Sequence, residues 1–170
     1  MKTQTTFKDQ ATAEVGDLLN VLLADEHVLY VTTQDYHWNV TGPEFHRLHQ
    51  QFETQLEEIS TWINQIAKRV RAIGCGARGN WAYLTKAPRL SAEPGIDLAS
   101  DRMLSELLSL HDGLIALLRE DIDYTGRFGD AGTGHLLTDL MVAHENAAWM
   151  LRAQLGTRDA AVVRYQPLKA

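Results

Sequence analysis

The chain has 170 residues, of which 45% are hydrophobic and 22% are charged, and its formal net charge is −6. This length is typical of one domain with its own core, and the composition is ordinary for a globular protein. The acidic balance argues against a broad basic surface for nucleic acid, and no stretch approaches the ~18 consecutive apolar residues of a membrane span. A single cysteine, Cys75, excludes an intrachain disulfide framework. Because the N-terminus also shows no apolar leader, we expect a cytoplasmic protein.

Apolar residues recur at steps of three and four along four stretches, which predicts four long helices at about 13–40, 44–73, 98–125 and 132–155. The first stripe contains Val15, Leu18, Leu22 and Leu29. The second and longest contains Phe45, Leu48, Phe52, Leu56, Ile59, Ile63, Ile66, Val70 and Ile73. The third and fourth contain Met103, Leu107, Leu110, Leu114 and Leu117, and then Leu136, Leu140, Ala143, Ala147 and Met150. No stretch alternates like a strand, so the predicted class is all-α.

Glycine and proline mark the breaks between these helices. Gly42-Pro43 separates the first from the second, the run 74–76 ends the second, and the glycine-rich run 126–134 precedes the fourth. The connection 77–97 is long enough to cross the bundle and to hold a short helix. A four-helix bundle with its long crossover between helices two and three is therefore predicted for residues 11–156. The remaining residues, 1–10 and 157–170, are expected to form irregular tails.

A polar stripe also follows the second predicted helix. At ~100° per residue, six side chains fall on one face: His49, Glu53, Glu57, Ser60, Asn64 and Lys68. His49 and Glu53, four residues apart, have the spacing of metal ligands, and imidazole with carboxylate suits iron, zinc or manganese. The same pattern is typical of a solvent-exposed face with i,i+4 pairs, so the spacing alone leaves both interpretations open.

The seven histidines argue against one kind of metal site. Di-iron carboxylate bundles build their internal site from paired Glu-x-x-His motifs. None of the seven histidines has Glu or Asp three residues before it. The sequence therefore predicts no site of that design inside a single bundle.

The run 36–53, YHWNVTGPEFHRLHQQFE, resembles the signature of the Dps family (DNA-binding proteins from starved cells), roughly His-Trp-Asn-Val-x-Gly-x-x-Phe-x-x-Leu-His-x-x-Phe. The stretches 22–30 and 144–151 are also similar, and the resemblance spans about residues 13–156. It implies a ferritin-like bundle that assembles into a dodecameric shell, stores iron and protects against iron-plus-peroxide damage. It also implies a ferroxidase centre between two subunits, where ferrous iron meets hydrogen peroxide or dioxygen, and it implies no haem.

In the Dps family this centre takes two histidines and an acidic residue from one subunit, and an Asp and a Glu from its neighbour. The resemblance assigns His37, His49 and Glu53 to the first three places, with Glu where Asp is more usual. Asn64 and Lys68 stand where the neighbour's carboxylates are expected, in a run that reads NQIAKR. An ammonium group has only donors and repels a cation, so the centre is expected to be altered.

We therefore expect weak or single-metal oxidation, with iron, zinc or another divalent ion bound. The alternative is a shell that sequesters metal, or has a structural or DNA-protective role, without efficient oxidation.

Cation entry and DNA binding are the family's other properties. The acidic three-fold pores of Dps shells suggest Asp130 and Asp139 as pore residues here. His135 replaces a usual Asp, and it either forms a ring of three imidazoles or is an ordinary surface histidine. The two tails contain only a few scattered cations, so we expect weak or absent DNA binding. The sequence leaves open the roles of His27, His144 and Cys75.

Overall fold

The structure, a computed structural model, describes residues 9–92 and 98–156. Its helices are α1 (Asp9–Asn39), α2 (Phe45–Ala72), α3 (Trp81–Leu84), α4 (Ser100–Gly126) and α5 (Ala131–Leu155). The four long helices confirm the predicted all-α bundle, and α3 is the short helix expected inside the crossover. In the part of the chain that the structure describes, no helix is both long enough and apolar enough to cross a membrane.

The helix starts and ends agree with the predicted ones to within four residues. The largest difference is at α1, which takes in Asp9 and Gln10 from the predicted N-terminal tail. The Gln10 amide donates to the Glu14 carboxylate one turn later, a pair that supports a helix start. The rest of both predicted tails, residues 1–8 and 157–170, lies outside the described residues, and so does the crossover segment 93–97.

Contacts between side chains define the direction of the helices. The Tyr36 and Phe52 rings lie 6.4 Å apart at one end of the antiparallel α1–α2 pair. The ion pair of Arg119 with Glu145, at 2.9 Å, belongs to the antiparallel α4–α5 pair. Arg47 at the start of α2 donates to Gln154 at the end of α5, and Arg69 near the end of α2 donates to Asp130 at the start of α5, so α2 and α5 are antiparallel. Therefore α2 and α4 run in the same direction, and the chain must return along the whole bundle between them, which explains the long crossover.

One arginine fastens the crossover to the bundle. The backbone N–H and Nε of Arg89 donate to Asp25 on α1 at 2.6 and 2.8 Å, and its two terminal nitrogens donate to Asp121 on α4 at 2.8 and 2.9 Å. Burial raises the pKa of Asp25, although Arg89 acts in the opposite direction. Removal of Arg89 would leave two buried carboxylates without their cation.

The core is apolar over most of its length and draws on all four long helices. Its fully buried side chains include Leu19, Leu22, Leu29, Phe52, Ile59, Ile66, Leu107, Leu114, Leu137 and Leu151. Each such side chain contributes roughly 1.5–3 kcal/mol through its removal from water. These are largely the residues of the predicted stripes on α1, α2 and α4.

On α5 the predicted core face is confirmed at Leu140 and Ala147, which are buried, and was wrong at its other three positions. Met150, expected inside, is 42% exposed, and Leu136 and Ala143 are only half-buried. The inner face of α5 consists of Thr133, Leu137, Leu140, His144, Ala147, Ala148 and Leu151. His144 lies at the centre of this face and is polar, so a search for apolar residues selected the neighbouring Ala143 instead.

Candidate metal centre

His37 and His49 meet where α1 ends and α2 begins. Five residues connect the two helices, and Gly42 allows the tight turn because its φ is +97°, a conformation that favours glycine. The two imidazole rings stack with centroids 4.0 Å apart and planes 21° apart. The structure therefore brings together two of the three residues that the sequence assigned to one subunit's half of the site.

The hydrogen bonds of these rings decide which nitrogens can bind a metal. Nδ1 of His49 lies 2.9 Å from the backbone carbonyl of His37, so it donates its proton there and leaves a lone pair on Nε2. Nε2 of His37 is buried and has no hydrogen-bond partner among the described residues. Phe45 stacks on His49 at 5.2 Å and restrains its ring. A carbonyl partner of this kind is typical of metal-binding histidines, because it fixes the tautomer and the orientation of the ring.

Glu53 lies one turn after His49 on α2, with an exposed side chain. Because residues four apart share a helix face, Glu53 lies on the same face of α2 as His49. Among the described residues, however, no three His, Cys, Asp or Glu side chains gather closely enough to hold a metal ion. We call His37, His49 and Glu53 the half-site.

The structure does not bring Asn64 and Lys68 to the half-site within one chain. Both are exposed on α2, and they lie roughly 16 and 22 Å beyond Glu53 along the helix axis at 1.5 Å per residue. The amide nitrogen of Asn64 donates to the carbonyl of Ser60 at 2.8 Å, which leaves its amide oxygen as an acceptor. Only a second copy of the chain could place these two side chains against His49 and Glu53.

The three predicted pore residues lie in different surroundings. Asp130 is the N-cap of α5 and is only 5% exposed. Its carboxylate accepts from the backbone N–H and the hydroxyl of Thr133 and from Arg69, at 3.0, 2.5 and 2.5 Å. These contacts give Asp130 a structural role that the sequence did not suggest. His135 and Asp139 are exposed and lie 3.4 Å apart on the first turns of α5, and their pore role stays a prediction.

Two residues with open roles contact backbone carbonyls. Nδ1 of His27 lies 2.7 Å from the carbonyl of Leu23, and the thiol of Cys75 lies 3.4 Å from the carbonyl of Thr12. The third, His144, belongs to a buried group that sequence reasoning missed. Its one available signal was a histidine at a core position of the α5 pattern.

Comparison with known proteins agrees with this fold and motif. Residues 16–160 match the family model of the ferritin-like domain. An uncharacterized low temperature-induced protein of Nostoc sp. (strain PCC 7120) is 39% identical over 146 residues, which cover 85% of this chain and 82% of that protein. The DNA protection during starvation protein of Brevibacillus brevis is 32% identical over 141 residues, 83% of this chain and 94% of that protein. The solved structure of DpsC from Streptomyces coelicolor gives a TM-score of 0.86 at 25% identity, covering 91% of each chain.

A bundle with this crossover and a match over most of the length define a ferritin-like protein, and the chain belongs to that family. Within it, the starvation-protein relatives and the DpsC structure place the chain among the Dps proteins, which confirms the resemblance of run 36–53.

Proposed function

We propose that this chain forms a Dps-like shell of twelve copies that binds and stores iron in the cytoplasm and limits damage by iron plus hydrogen peroxide. The observation that carries this proposal is the stacked pair of His37 and His49, with one nitrogen held by a backbone carbonyl and both Nε2 atoms available. The names of the relatives support the protective role, since they refer to DNA protection during starvation.

Two copies of α2 would complete the site. If two α2 helices pack antiparallel, the shared four-residue steps set His49 and Glu53 of one copy opposite Lys68 and Asn64 of the other. This arrangement uses the whole polar face of α2, from His49 to Lys68. It would bring the metal-binding end of this face in one copy against the end with the lysine in the other copy.

The second copy supplies no carboxylate at these positions. Relative to the Asp and Glu of the family pattern, Asn64 and Lys68 add three units of positive charge per site. At an effective dielectric constant of about 20, one charge reversal at ~4–6 Å opposes a divalent cation by several kcal/mol. We therefore propose an altered inter-subunit ferroxidase centre with weak or single-metal oxidation.

In this centre, the chain's own groups have separate tasks. Nε2 of His37 and Nε2 of His49 bind the ferrous ion, while the Glu53 carboxylate offsets its charge. The His37 carbonyl and the Phe45 ring keep the His49 imidazole from rotating. Hydrogen peroxide or dioxygen is the oxidant, and zinc is the competing divalent ion that the same ligands accept.

A second candidate function follows from Lys68. Its ammonium group could pair with Glu53 of a second copy and hold the interface without metal. The shell would then sequester metal by other groups, or have a structural or DNA-protective role, without efficient oxidation.

Iron oxidation by a doubly reverted variant separates the two functions. With Asn64→Asp and Lys68→Glu together, we expect the initial rate with hydrogen peroxide to rise at least ~tenfold, which corresponds to about 1.4 kcal/mol of barrier. Asn146→Asp with Lys86→Glu makes the same change of charge at exposed positions elsewhere and should leave the rate unchanged. An unchanged rate in the reverted variant would contradict the altered centre.

The shell and its partners have direct tests as well. Sedimentation should give the mass of twelve chains of 19.1 kDa, and a monomer or dimer would contradict the shell. A gel shift at low salt should show weak or no DNA binding, because the net charge of −6 per chain opposes contact with phosphates.

A further inference from the structure

Three buried side chains from three helices form a continuous hydrogen-bonded chain in the middle of the bundle. Nε2 of His144 on α5 lies 2.9 Å from Oε1 of Glu26 on α1. Nδ1 of His144 lies 2.9 Å from Nδ1 of His111 on α4. Glu26 and His144 are 0% exposed and His111 is 1% exposed. We call this chain the interior relay.

The His111–His144 contact has the geometry of a hydrogen bond. The ring centroids are 5.2 Å apart, as expected when a nitrogen of each imidazole points end-on at a nitrogen of the other. The 2.9 Å between these nitrogens is an ordinary hydrogen-bond distance, and among the described residues no three His, Cys, Asp or Glu side chains gather closely enough to hold a metal ion. The relay is therefore a device that holds protons.

The helices packed around the relay supply no neutralising cation among the described residues. From α2 the Trp62 ring packs edge-on against His144, with centroids 4.7 Å apart. On α1, the neighbouring Asp25 is already bound to Arg89. The carboxylates that flank the two histidines form outward ion pairs, which are Asp112 with Arg152 and Glu145 with Arg119. Oε2 of Glu26 and Nε2 of His111, the two ends of the relay, have no partner in the described chain.

The number of protons on the relay sets its net charge, and the apolar core favours the state without net charge. The two hydrogen bonds need two protons, and with only these two the relay carries the negative charge of Glu26. A third proton at Nε2 of His111, followed by a shift along the relay, leaves Glu26 ionised, His144 doubly protonated and His111 neutral. A fourth proton would make the relay positive. Since an uncompensated charge is costly in an apolar core, the neutral three-proton state is the favoured one.

We propose that the interior relay holds three protons at neutral pH and is an acid-sensitive switch for the packing of α5. Uptake of a fourth proton leaves a net positive charge between α1, α4 and α5, and α5 loosens from the bundle. The switch is a property of the bundle and does not depend on bound metal.

The direction of the pH dependence follows from His111. Burial, and then the positive charge of His144, lower the pKa of His111 from 6.5 to about 3. An exposed His111 would bind its proton near pH 6.5, so acid favours the loosened state. The stabilisation by neutral His111 is complete above pH 6.5 and is lost progressively as the pH falls towards 3.

His111→Asn tests the switch, because the asparagine carbonyl can accept the Nδ1–H of His144 but cannot take up a proton. Tryptophan fluorescence and near-UV circular dichroism from pH 7 to 3 should show an acid midpoint lower than in the wild type by at least about one pH unit. His46→Asn, at an exposed histidine, is the matched control and should leave the midpoint unchanged. A His111→Asn protein with the wild-type midpoint would overturn the proposal.

A second measurement on the wild type does not depend on the variant's folding. Solid-state NMR of the ¹⁵N-histidine-labelled protein at pH 7 should show both ring nitrogens of His144 protonated and only Nε2 protonated in His111. An unprotonated Nε2 in His111 would mean a two-proton relay and would contradict the proposal.

Discussion

The same residue type has different surroundings at the end of this bundle and in its middle. At the end, His37 and His49 stack on each other, Glu53 is exposed one turn further along α2, and a backbone carbonyl holds one nitrogen so that another can bind a ligand. In the middle, both nitrogens of His144 are bonded to side chains, and Glu26 and His111 are sealed from solvent. The solvent exposure of a histidine and the partners of its ring nitrogens, rather than its residue type, decide whether it can bind a ligand or whether it stabilises the fold.

This comparison predicts that substitutions in the interior relay affect stability first. Glu26→Ala removes the carboxylate that lies 2.9 Å from Nε2 of His144 and leaves a buried imidazole without compensation. We expect the free energy of unfolding to fall by about 3–5 kcal/mol, measured in urea at fixed protomer concentration. Glu26→Gln keeps an acceptor for Nε2 of His144, so its free energy of unfolding should fall by clearly less than that of Glu26→Ala. If Glu26→Ala lowered the free energy of unfolding by less than about 1 kcal/mol, the relay would contribute no more to stability than an ordinary surface contact, which would contradict this account.

A smaller effect is expected at the start of α5, where two aspartates with the same predicted role differ in burial. Asp130→Ala removes a helix cap and a buried partner of Arg69, so we expect a loss of about 2 kcal/mol. Asp139→Ala removes an exposed carboxylate and should change stability by less than about 0.5 kcal/mol. If Asp139 lines a pore, its loss should slow iron uptake instead. Equal effects of the two substitutions on stability would contradict the structural role of Asp130.

A small effect on stability, with a large effect on binding, is expected at the half-site. His49→Gln should weaken zinc binding at least ~tenfold, because losing even an outer-shell partner of a metal ligand typically costs that much. The free energy of unfolding should change by less than about 1 kcal/mol. His46→Gln, three residues earlier and exposed, is the control for calorimetric titration. Equal affinities in the two variants would show that His49 does not bind the ion.

The sequence predicted the fold well because the apolar periodicity of α1, α2 and α4 is regular and the breaks are marked by glycine and proline. It was wrong for part of the inner face of α5, where His144 occupies a core position that its distant partners Glu26 and His111 make favourable. The ion pair of Asp130 had no signal in the sequence because Arg69 lies 61 residues earlier in the chain. His37 and His49 were found through a motif, whereas their stacking and tautomers depend on tertiary contacts.

Anomalous diffraction from crystals soaked in ferrous iron or zinc tests the half-site most directly. We expect one anomalous peak per site, beside Nε2 of His37 and Nε2 of His49, with Glu53 nearby and Lys68 of a second copy in place of a second ion. Two anomalous peaks beside each His37–His49 pair would show an intact two-metal centre in spite of Lys68. The absence of any peak beside His37 and His49 would contradict the half-site itself.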